Sequence, residues 1–263
     1  MLIATYNVNS INARMENLLE WLKTAEPDVV LLQEIKSEFN AFPFFELLAT
    51  GYEAKILGQK SYNGVAVLSR HKLKVTAEGL PGFEDANARY LEAELTAEGR
   101  VFRVASVYLP NGNPPYNDPD DDSKYAYKLA WMDALLEHAE DLLRLRQPVL
   151  LGGDFNVILT ERDVYDPEPF RNNALFREEV KQKLTALQYL GYYDAFRALH
   201  PQKNGYTYWD YGGGAFATDQ GMRIDYFFLS PDAMDMLESI EVDKAPRRGT
   251  KPSDHTVLKV KQN

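Results

Sequence analysis

Residues 147–156, Gln-Pro-Val-Leu-Leu-Gly-Gly-Asp-Phe-Asn, combine the two features that decide how this chain folds. The apolar run Val149–Leu151 is short and bounded by proline and glycine, as is typical of a buried strand. Asp154 and Asn156 follow directly, so polar side chains stand where the strand ends. Such residues form turns in most proteins, but they also form functional sites at the edges of sheets.

Short apolar runs of this kind recur from one end of the chain to the other. The predicted strands are Leu2–Tyr6, Val29–Gln33, Gly64–Leu68, Leu91–Leu95, Phe102–Tyr108, Val149–Leu151, Tyr226–Leu229 and Thr256–Val260. Helical periodicity covers Arg14–Ala25, Tyr125–Leu145 and Ala174–Leu190, and a shorter helix is expected after Pro231. Because strands outnumber helices and do not alternate strictly with them, the pattern favours an α/β fold of mixed sheets packed face to face with helices outside.

The composition indicates a globular chain with a large core. Of 263 residues, 45% are hydrophobic and 12% aromatic, which excludes a disordered or low-complexity chain. No apolar run approaches the roughly 20 residues of a membrane-spanning helix, the N-terminus lacks the pattern of a signal peptide, and there is no cysteine. We therefore expect one domain over residues 1–263, located in the cytoplasm, monomeric and not bound to a membrane.

The charge is acidic overall but unevenly distributed. A net charge of −10 argues against a protein that coats nucleic acid by bulk electrostatics, although it leaves room for a local basic rim on a cleft. Residues 118–122 form an acidic stretch, and residues 244–251 carry four basic side chains without an acid. The segments Ser69–Arg89, Asn111–Asp122 and Gly205–Gly221 are long enough to be predicted as functional loops.

Six strand ends carry side chains that are able to bind a metal ion or a phosphate. These residues are Asn7, Asn9, Gln33, Glu34, Tyr108, Asp154, Asn156, Arg223, Asp225, Ser253, Asp254 and His255. Each one alone has an ordinary explanation as a turn former, a cap or a half-buried strand residue. Together they form a set of hard oxygen ligands with one imidazole, which suits Mg²⁺ or Mn²⁺ and the hydrolysis of phosphodiesters. The three glycines at 212–214 lack the flanks of a nucleotide-binding loop and are expected to form a loop tip.

Blocks around these residues resemble the exonuclease III family of apurinic/apyrimidinic (AP) endonucleases, and they follow the family's order. The blocks are Thr5-Tyr6-Asn7-Val8-Asn9, Leu32-Gln33-Glu34, Tyr108-Leu109-Pro110-Asn111-Gly112, Gly153-Asp154-Phe155-Asn156, Arg223-Ile224-Asp225 and Ser253-Asp254-His255. The resemblance implies a four-layer α/β sandwich of the DNase I type. It also implies Mg²⁺-dependent cleavage on the 5′ side of abasic sites in double-stranded DNA, 3′→5′ exonuclease activity and removal of blocking groups from 3′ ends.

The resemblance also implies a role for each matching residue. Glu34 is the Mg²⁺ carboxylate, assisted by Asn7, and Asp254 is a candidate second ligand. The implied metal set also includes Asp154, Asn156 and His255. Asp154 orients or deprotonates the attacking water, and Asn156 stabilises the charge that develops on the phosphate. His255 contacts the phosphate and is oriented by Asp225, whereas Tyr108 contacts the phosphate or the leaving group.

The expected abasic pocket departs from the family at several positions. It comprises Tyr208, Met222 and Ile224, with Tyr208 standing where relatives commonly have Trp or Phe. Trp209 is assigned to the same segment, with core packing as the favoured role of its ring. Further candidates for contact with DNA are Asn9, Arg89 and Asn111. Human-type relatives wedge a Met and an Arg into DNA at positions that are Gly212 and Pro114 here, which predicts a weaker grip on abasic sites.

Two alternatives remain open from the sequence. A phosphatase of the same fold, acting on a phospholipid or inositol headgroup, would share Glu34, Asp154, Asn156 and His255 but would not need the pocket sequence. A catalytically silent nucleic-acid-binding regulator would need neither Asp154 nor Glu34. The net acidity modestly favours the phosphatase, but the pocket sequence counts more strongly against it. The complete set of metal ligands and general base argues for catalysis and against the regulator.

Overall fold

The computed structural model describes residues 1–263 and contains two six-stranded mixed sheets that pack against each other. The strands are β1 (Leu2–Asn7), β2 (Val29–Gln33), β3 (Glu53–Leu57), β4 (Val65–Ser69), β5 (Leu73–Glu78), β6 (Tyr90–Ala97), β7 (Arg100–Tyr108), β8 (Val149–Asp154), β9 (Tyr193–Asp194), β10 (Asp225–Leu229), β11 (Leu237–Asp243) and β12 (Val257–Gln262). The helices are α1 (Met15–Ala25), α2 (Phe44–Ala49), α3 (Ser123–Leu143), α4 (Glu178–Leu190), α5 (Ala195–Leu199), α6 (Pro231–Met234) and α7 (Ala245–Arg248).

Side chains alternate between the two faces of each strand, so each sheet packs against the other sheet on one face and against helices on the other, which gives four layers. In β2, Leu31 faces the second sheet, whereas Val30 and Leu32 face α1 and α2. On the other side, α3 and α4 pack on the outer face of the second sheet. Because successive strand residues point to opposite faces, a strand buried on both sides reads as a continuous apolar run. The predicted sandwich of two mixed sheets with outer helices is confirmed.

The order of the strands in each sheet explains which strands were predicted from the sequence and which were missed. The first sheet has the order β11-β12-β1-β2-β4-β3, and the second has β5-β6-β7-β8-β10-β9. All eight predicted strands lie in the interior of a sheet, and the four that were missed are the four edge strands. Edge strands expose one backbone edge and carry charged side chains, so they lack the apolar signal of interior strands. The prediction that Ser69–Arg89 is entirely a loop is wrong, because β5 lies within it.

Smaller differences concern the ends of helices. The α4 helix begins at Glu178 rather than at Ala174, because residues 174–176 form a buried turn whose backbone is held by Asn113 and Asn173. The segment after Pro231 is a single helical turn capped by the Ser230 side chain. None of the helices combines the length and the apolar character required to cross a membrane.

Candidate active site

Strand pairing brings the predicted residues to one end of the sandwich. In the first sheet, β1 and β2 run parallel, so Asn7 pairs with Gln33, next to Glu34. In the second sheet, Tyr108 at the end of β7 pairs with Asp154, and Asp225 at the start of β10 lies opposite the same Asp154. Because the two sheets face each other, polar strand ends that are remote in sequence meet in one cluster.

Three residues at the centre of this cluster have their ligand atoms within 4.8 Å of one another: Glu34, Asp154 and His255. Asn7 joins two of them, because its Nδ2 donates to Glu34 Oε1 and to Asp154 Oδ2, both at 2.9 Å. Asp154 and His255 are almost completely buried. The sequence prediction that these four residues converge is therefore correct.

His255 lies between two carboxylates. Its Nδ1 is 2.8 Å from Asp225 Oδ2, and its Nε2 is 3.7 Å from Asp154 Oδ2. Burial lowers the pKa of His255, but the negative charges of Asp225 and Asp154 outweigh burial and raise the pKa above its ordinary value. The imidazole is therefore held in its charged form, with both ring nitrogens as donors.

The two central carboxylates differ in their environments. Burial, together with the nearby charges of Asp225 and Glu34, raises the pKa of Asp154, and the charge of His255 opposes this. Burial also acts to raise the pKa of Glu34, but hydrogen bonds from Asn7 and Lys36 outweigh it and lower the pKa. Glu34 therefore stays ionised, whereas Asp154 holds a proton more readily than an ordinary carboxylate.

These residues fit a divalent cation. Two carboxylates, those of Glu34 and Asp154, converge here beside His255, and the buried Oδ1 of Asp225 behind His255 has no hydrogen-bond partner. The carboxylate oxygens of Glu34 and Asp154 are ligands that Mg²⁺ and Mn²⁺ accept, whereas Asn7 presents its Nδ2 to them and the charged imidazole acts as a donor. Asp254 does not belong to the group within 4.8 Å, so its role as a ligand stays a prediction.

Asn156 is held in an unusual backbone conformation beside Asp154. Its φ is 48°, in the left-handed region that non-glycine residues seldom adopt. Its N–H donates to Asp154 Oδ1 at 2.9 Å, its Nδ2 donates to Leu109 O at 2.9 Å, and Asn111 Nδ2 donates to its Oδ1 at 3.3 Å. Glu34 has φ 50° as well, so two of the predicted site residues adopt left-handed backbone.

Tyr108 and Arg89 form one wall of the site. Burial, followed by the charges of Glu34 and Asp154, raises the pKa of Tyr108 well above its ordinary value. The guanidinium of Arg89 lies 4.9 Å from the centre of the Tyr108 ring, and its Nη1 donates to Tyr108 O at 3.4 Å. The phenol is therefore a neutral hydrogen-bond donor beside a positive charge.

A partly apolar surface adjoins His255 on the other side. The Tyr208 ring is 5.0 Å from the His255 ring, and Tyr208 forms backbone bridges with both Met222 and His255. Tyr208 and Met222 are half-buried and pack against a cluster that includes Ile224. The structure thus brings the three predicted pocket residues together next to the catalytic cluster.

Trp209, grouped with the pocket residues but with core packing as its favoured role, is completely buried and offers no surface to DNA. Its side chain has no exposed surface, and its ring packs 5.1 Å from Phe216. Its Nε1 donates to Asp219 Oδ1 at 3.2 Å, which satisfies the indole inside the loop. Core packing, the favoured role of this ring in the sequence, is the role that the structure shows.

Lys36 is a site residue that the sequence analysis missed. Its Nζ lies 2.9 Å from Glu34 Oε2 and donates to Asn9 Oδ1 at 2.6 Å. Asn9 in turn donates to Asp254 Oδ1 at 3.1 Å, so Lys36 links Glu34 to the opposite rim. The sequence feature that could have identified Lys36 is its position, two residues after Glu34, the predicted metal-binding carboxylate.

The fold and the site define a class of hydrolytic enzyme, and comparison with known proteins agrees. The Endonuclease/Exonuclease/phosphatase family matches residues 4–255. The chain is 29% identical to exodeoxyribonuclease III of Haemophilus influenzae over 98% of each chain. The structure of an AP endonuclease from Archaeoglobus fulgidus superposes with a TM-score of 0.92 at 31% identity, covering 100% of this chain and 99% of that one.

A second solved structure is the 3′ phosphatase NExo from Neisseria bound to a product DNA hairpin. It has a TM-score of 0.90 and 33% identity, and the match covers 100% of this chain and 99% of that chain. This chain therefore belongs to the endonuclease/exonuclease/phosphatase family, in its exonuclease III branch of DNA-repair nucleases. Its active site is accordingly that of a nuclease.

Proposed function

We propose that this protein is a Mg²⁺-dependent nuclease that cuts double-stranded DNA on the 5′ side of abasic sites and also removes nucleotides or blocking groups from 3′ ends. The observation that carries the proposal is the buried cluster of Glu34, Asp154 and His255, with Asn7 bridging the two carboxylates. Buried carboxylates this close together need positive charge beside them, which a metal cation would supply.

Glu34 and Asp154 would hold the metal ion, with Asn7, Asn156 and Asp254 as the other predicted ligands. His255 was also predicted as a ligand, but the charged imidazole between Asp225 and Asp154 has no lone pair to offer a metal. The ion, when bound, supplies positive charge that offsets the charge on the phosphate. Mn²⁺ would be accepted by the same oxygen donors. Lys36 competes for Glu34 Oε2, so we expect its ammonium to give up this oxygen when the ion binds and to keep its hydrogen bond to Asn9.

The chain's own groups supply the proton transfers and the hydrogen bonds. We assign Asp154 as the residue that orients and deprotonates the attacking water, because its raised pKa suits a general base near neutral pH. Charged His255 would donate to a phosphate oxygen through Nε2 while Asp225 holds Nδ1. Asn156 and Tyr108 would donate hydrogen bonds to the phosphate or to the leaving oxygen.

The surface beside His255 would receive the sugar that lacks a base. Tyr208, Met222 and Ile224 offer an apolar wall, and the phenol of Tyr208 adds one polar tip. Arg89, Asn9 and Asn111 line the rim and would contact the DNA backbone. Activity on 3′ ends is supported by the similarity to the Neisseria 3′ phosphatase.

We also propose that residues 1–263 act as one catalytic domain in monomeric form. The site takes Asn7, Glu34 and His255 from the first sheet and its loops, and Asp154 and Asp225 from the second. Neither sheet alone carries a complete set of groups.

The test compares four substrates in Mg²⁺: a duplex with one tetrahydrofuran abasic analogue, an undamaged duplex, a duplex with a 3′-phosphate at a nick, and a phosphoinositide. A nick only 5′ of the analogue, with release of the 3′-phosphate, is the expected result. Phosphate release from the lipid alone would support the phosphatase alternative and refute the proposal. DNA binding without cleavage of any substrate would refute it in favour of a regulator, and EDTA should abolish every cleavage.

A further inference from the structure

Lys128 on α3 is a fully buried lysine that lies behind the active site. Its Nζ donates to the backbone oxygens of Asn111 at 3.0 Å, Asn156 at 2.6 Å and Ala174 at 3.1 Å. No carboxylate lies within ion-pair distance of this ammonium. Burying a charge without a counter-ion is costly, so three convergent carbonyl groups indicate a specific task for this side chain.

The three carbonyl groups belong to three separate segments of the chain. One follows β7, one follows β8, and one precedes α4. All three N–H bonds of the ammonium are used, one for each segment. Lys128 therefore adds one shared contact to three segments that are otherwise joined pairwise, by Leu109 N to Asp154 O, by Ile158 N to Leu175 O and by Ala174 N to Asn113 Oδ1.

Asn156 depends on this contact for its conformation. Its left-handed backbone is fixed on one side by the hydrogen bond from its N–H to Asp154 and on the other by Lys128 at its carbonyl oxygen. Strained backbone persists at functional sites only where its surroundings over-determine it. Without Lys128, the buried carbonyl oxygen of Asn156 would lose this donor, and its backbone would be held only by the N–H bond to Asp154 and by its side-chain hydrogen bonds.

The loop that carries Asn111 is shaped around the same side chain. A Cβ on Gly112 would lie 2.6 Å from Lys128 Cδ, and Gly112 has φ +84°, which favours glycine. The Lys128 chain thus passes directly beneath the loop. Asn111 Nδ2 donates to Asn156 Oδ1, so a hydrogen bond also connects the loop to the side-chain amide of Asn156.

We propose that Lys128 is a positioning residue for phosphodiester hydrolysis, and that its ammonium holds the backbone of Asn156 and of Asn111 in place beside Asp154. The inference rests on the proposed function for the role of Asn156. Lys128 itself touches neither substrate nor metal, since its side chain has no exposed surface.

The first test is Lys128→Met, which keeps the volume and removes all three donors. We expect kcat on the abasic duplex to fall by about 10–100-fold, the usual effect of removing an outer partner of a site, with KM little changed. In a double-mutant cycle with Asn156→Ala, the two losses should not add, because both act through one amide. Additive losses, or an unchanged kcat in the folded variant, would overturn the inference.

The matched control is Lys259→Met on β12, where a half-buried lysine pairs with Glu241 and Asp243 away from the site. It should lower the midpoint of urea unfolding without changing kcat. If Lys128→Met does not fold, the double-mutant cycle with Asn156→Ala is measured with Lys128→Gln instead, which retains two N–H donors. A kcat for Lys128→Gln equal to that of the wild type would also overturn the inference.

Chemical rescue separates positioning from general packing. The natural chain contains no cysteine, so Lys128→Cys gives a unique thiol that 2-bromoethylamine converts to an aminoethyl side chain in the unfolded protein. After refolding, aminoethylation should restore kcat, whereas iodoacetamide treatment should not. Equal activity of the two products would contradict the role of the ammonium.

A second substrate makes failure of this inference distinguishable from failure of the proposed function. Bis(p-nitrophenyl) phosphate reports phosphodiester hydrolysis without any requirement for DNA. If the wild type cleaves only this ester, the proposed DNA function fails, and the same variants still decide the role of Lys128. If the Lys128 variants match the wild type on both substrates, the inference fails on its own.

Discussion

Nδ1 of His255 lies 2.8 Å from Oδ2 of Asp225, and both side chains are buried. The carboxylate holds the ring so that Nε2 points toward Asp154 and the space where a phosphate would bind. We predict that Asp225→Asn lowers kcat by roughly 10²–10⁴-fold, because an amide does not stabilise a charged imidazole. Single-turnover cleavage of the abasic duplex measures this effect. Asp235→Asn, a change of an acid at the opposite end of the sandwich, should have no effect, and an equal loss in both variants would contradict the assignment.

Asp154→Ala and His255→Ala test the two groups that face the phosphate. Each should lower the cleavage rate by roughly 10²–10⁴-fold if they serve as base and phosphate donor. Calorimetry should show weaker binding of Mg²⁺ to Asp154→Ala than to the wild type, because one predicted ligand is gone. Losses below about tenfold would remove the residue concerned from the mechanism.

Gly212→Arg tests whether a missing wedge weakens the grip on abasic sites. A Cβ at Gly212 would meet only Asp210 Oδ1 at 3.1 Å, and the backbone is not left-handed there, so the loop accepts a side chain. We expect tighter binding of the abasic duplex, measured by fluorescence anisotropy, with undamaged duplex gaining less. Gly214→Arg is the matched control. It adds the same charge to the same loop, but φ is +68° at that position, a backbone conformation that favours glycine. Equal gains for damaged and undamaged duplexes would indicate charge alone.

The acidic stretch 118–122 is expected to repel the flanks of the duplex. Asp118→Asn with Asp120→Asn removes two exposed charges and spares Asp121, whose Oδ1 accepts from Ser123 N at 2.9 Å at the start of α3. DNA affinity should rise at low salt, and the gain should shrink at high salt because screening shortens the range of the repulsion. An unchanged affinity at low salt would refute this role. Asp232→Asn with Asp235→Asn, at the opposite end of the sandwich, serves as the control.

Glu92 should make the stability of the fold depend on pH. Burial acts to raise the pKa of Glu92, but hydrogen bonds from His138, Thr76 and Tyr90 outweigh burial and lower the pKa to about 2. Since the folded pKa lies below the ordinary value of 4.5, the stabilisation is present above pH 4.5 and is lost as the pH falls toward 2. A shift of this size corresponds to about 3 kcal/mol.

Urea unfolding of the wild type and of Glu92→Gln at pH 7 and pH 3 measures this contribution. The variant should be less stable at pH 7, and its stability should fall less than that of the wild type on acidification. Parallel losses for the two proteins would show that Glu92 does not contribute to acid sensitivity.

The sequence determined the interior of both sheets and the members of the cluster. Runs such as Val29–Gln33 are apolar because both of their faces are buried, and this is a local property that a sequence displays. Asn7, Glu34, Asp154 and His255 stand at strand ends, and their chemical types already indicated a metal and a phosphate. Edge strands such as β3, which are only half-buried, carry no comparable signal.

Only the tertiary structure decided how these residues meet. The contacts of Lys128 join segments that are 17, 28 and 46 residues away in sequence, and nothing local in α3 indicates three carbonyl groups around its ammonium. The same holds for Trp209, which is enclosed by its own loop. Periodicity records whether a side chain is buried, but it does not record what surrounds that side chain. Its neighbours are set by strand pairing and by loop closure over long distances along the chain.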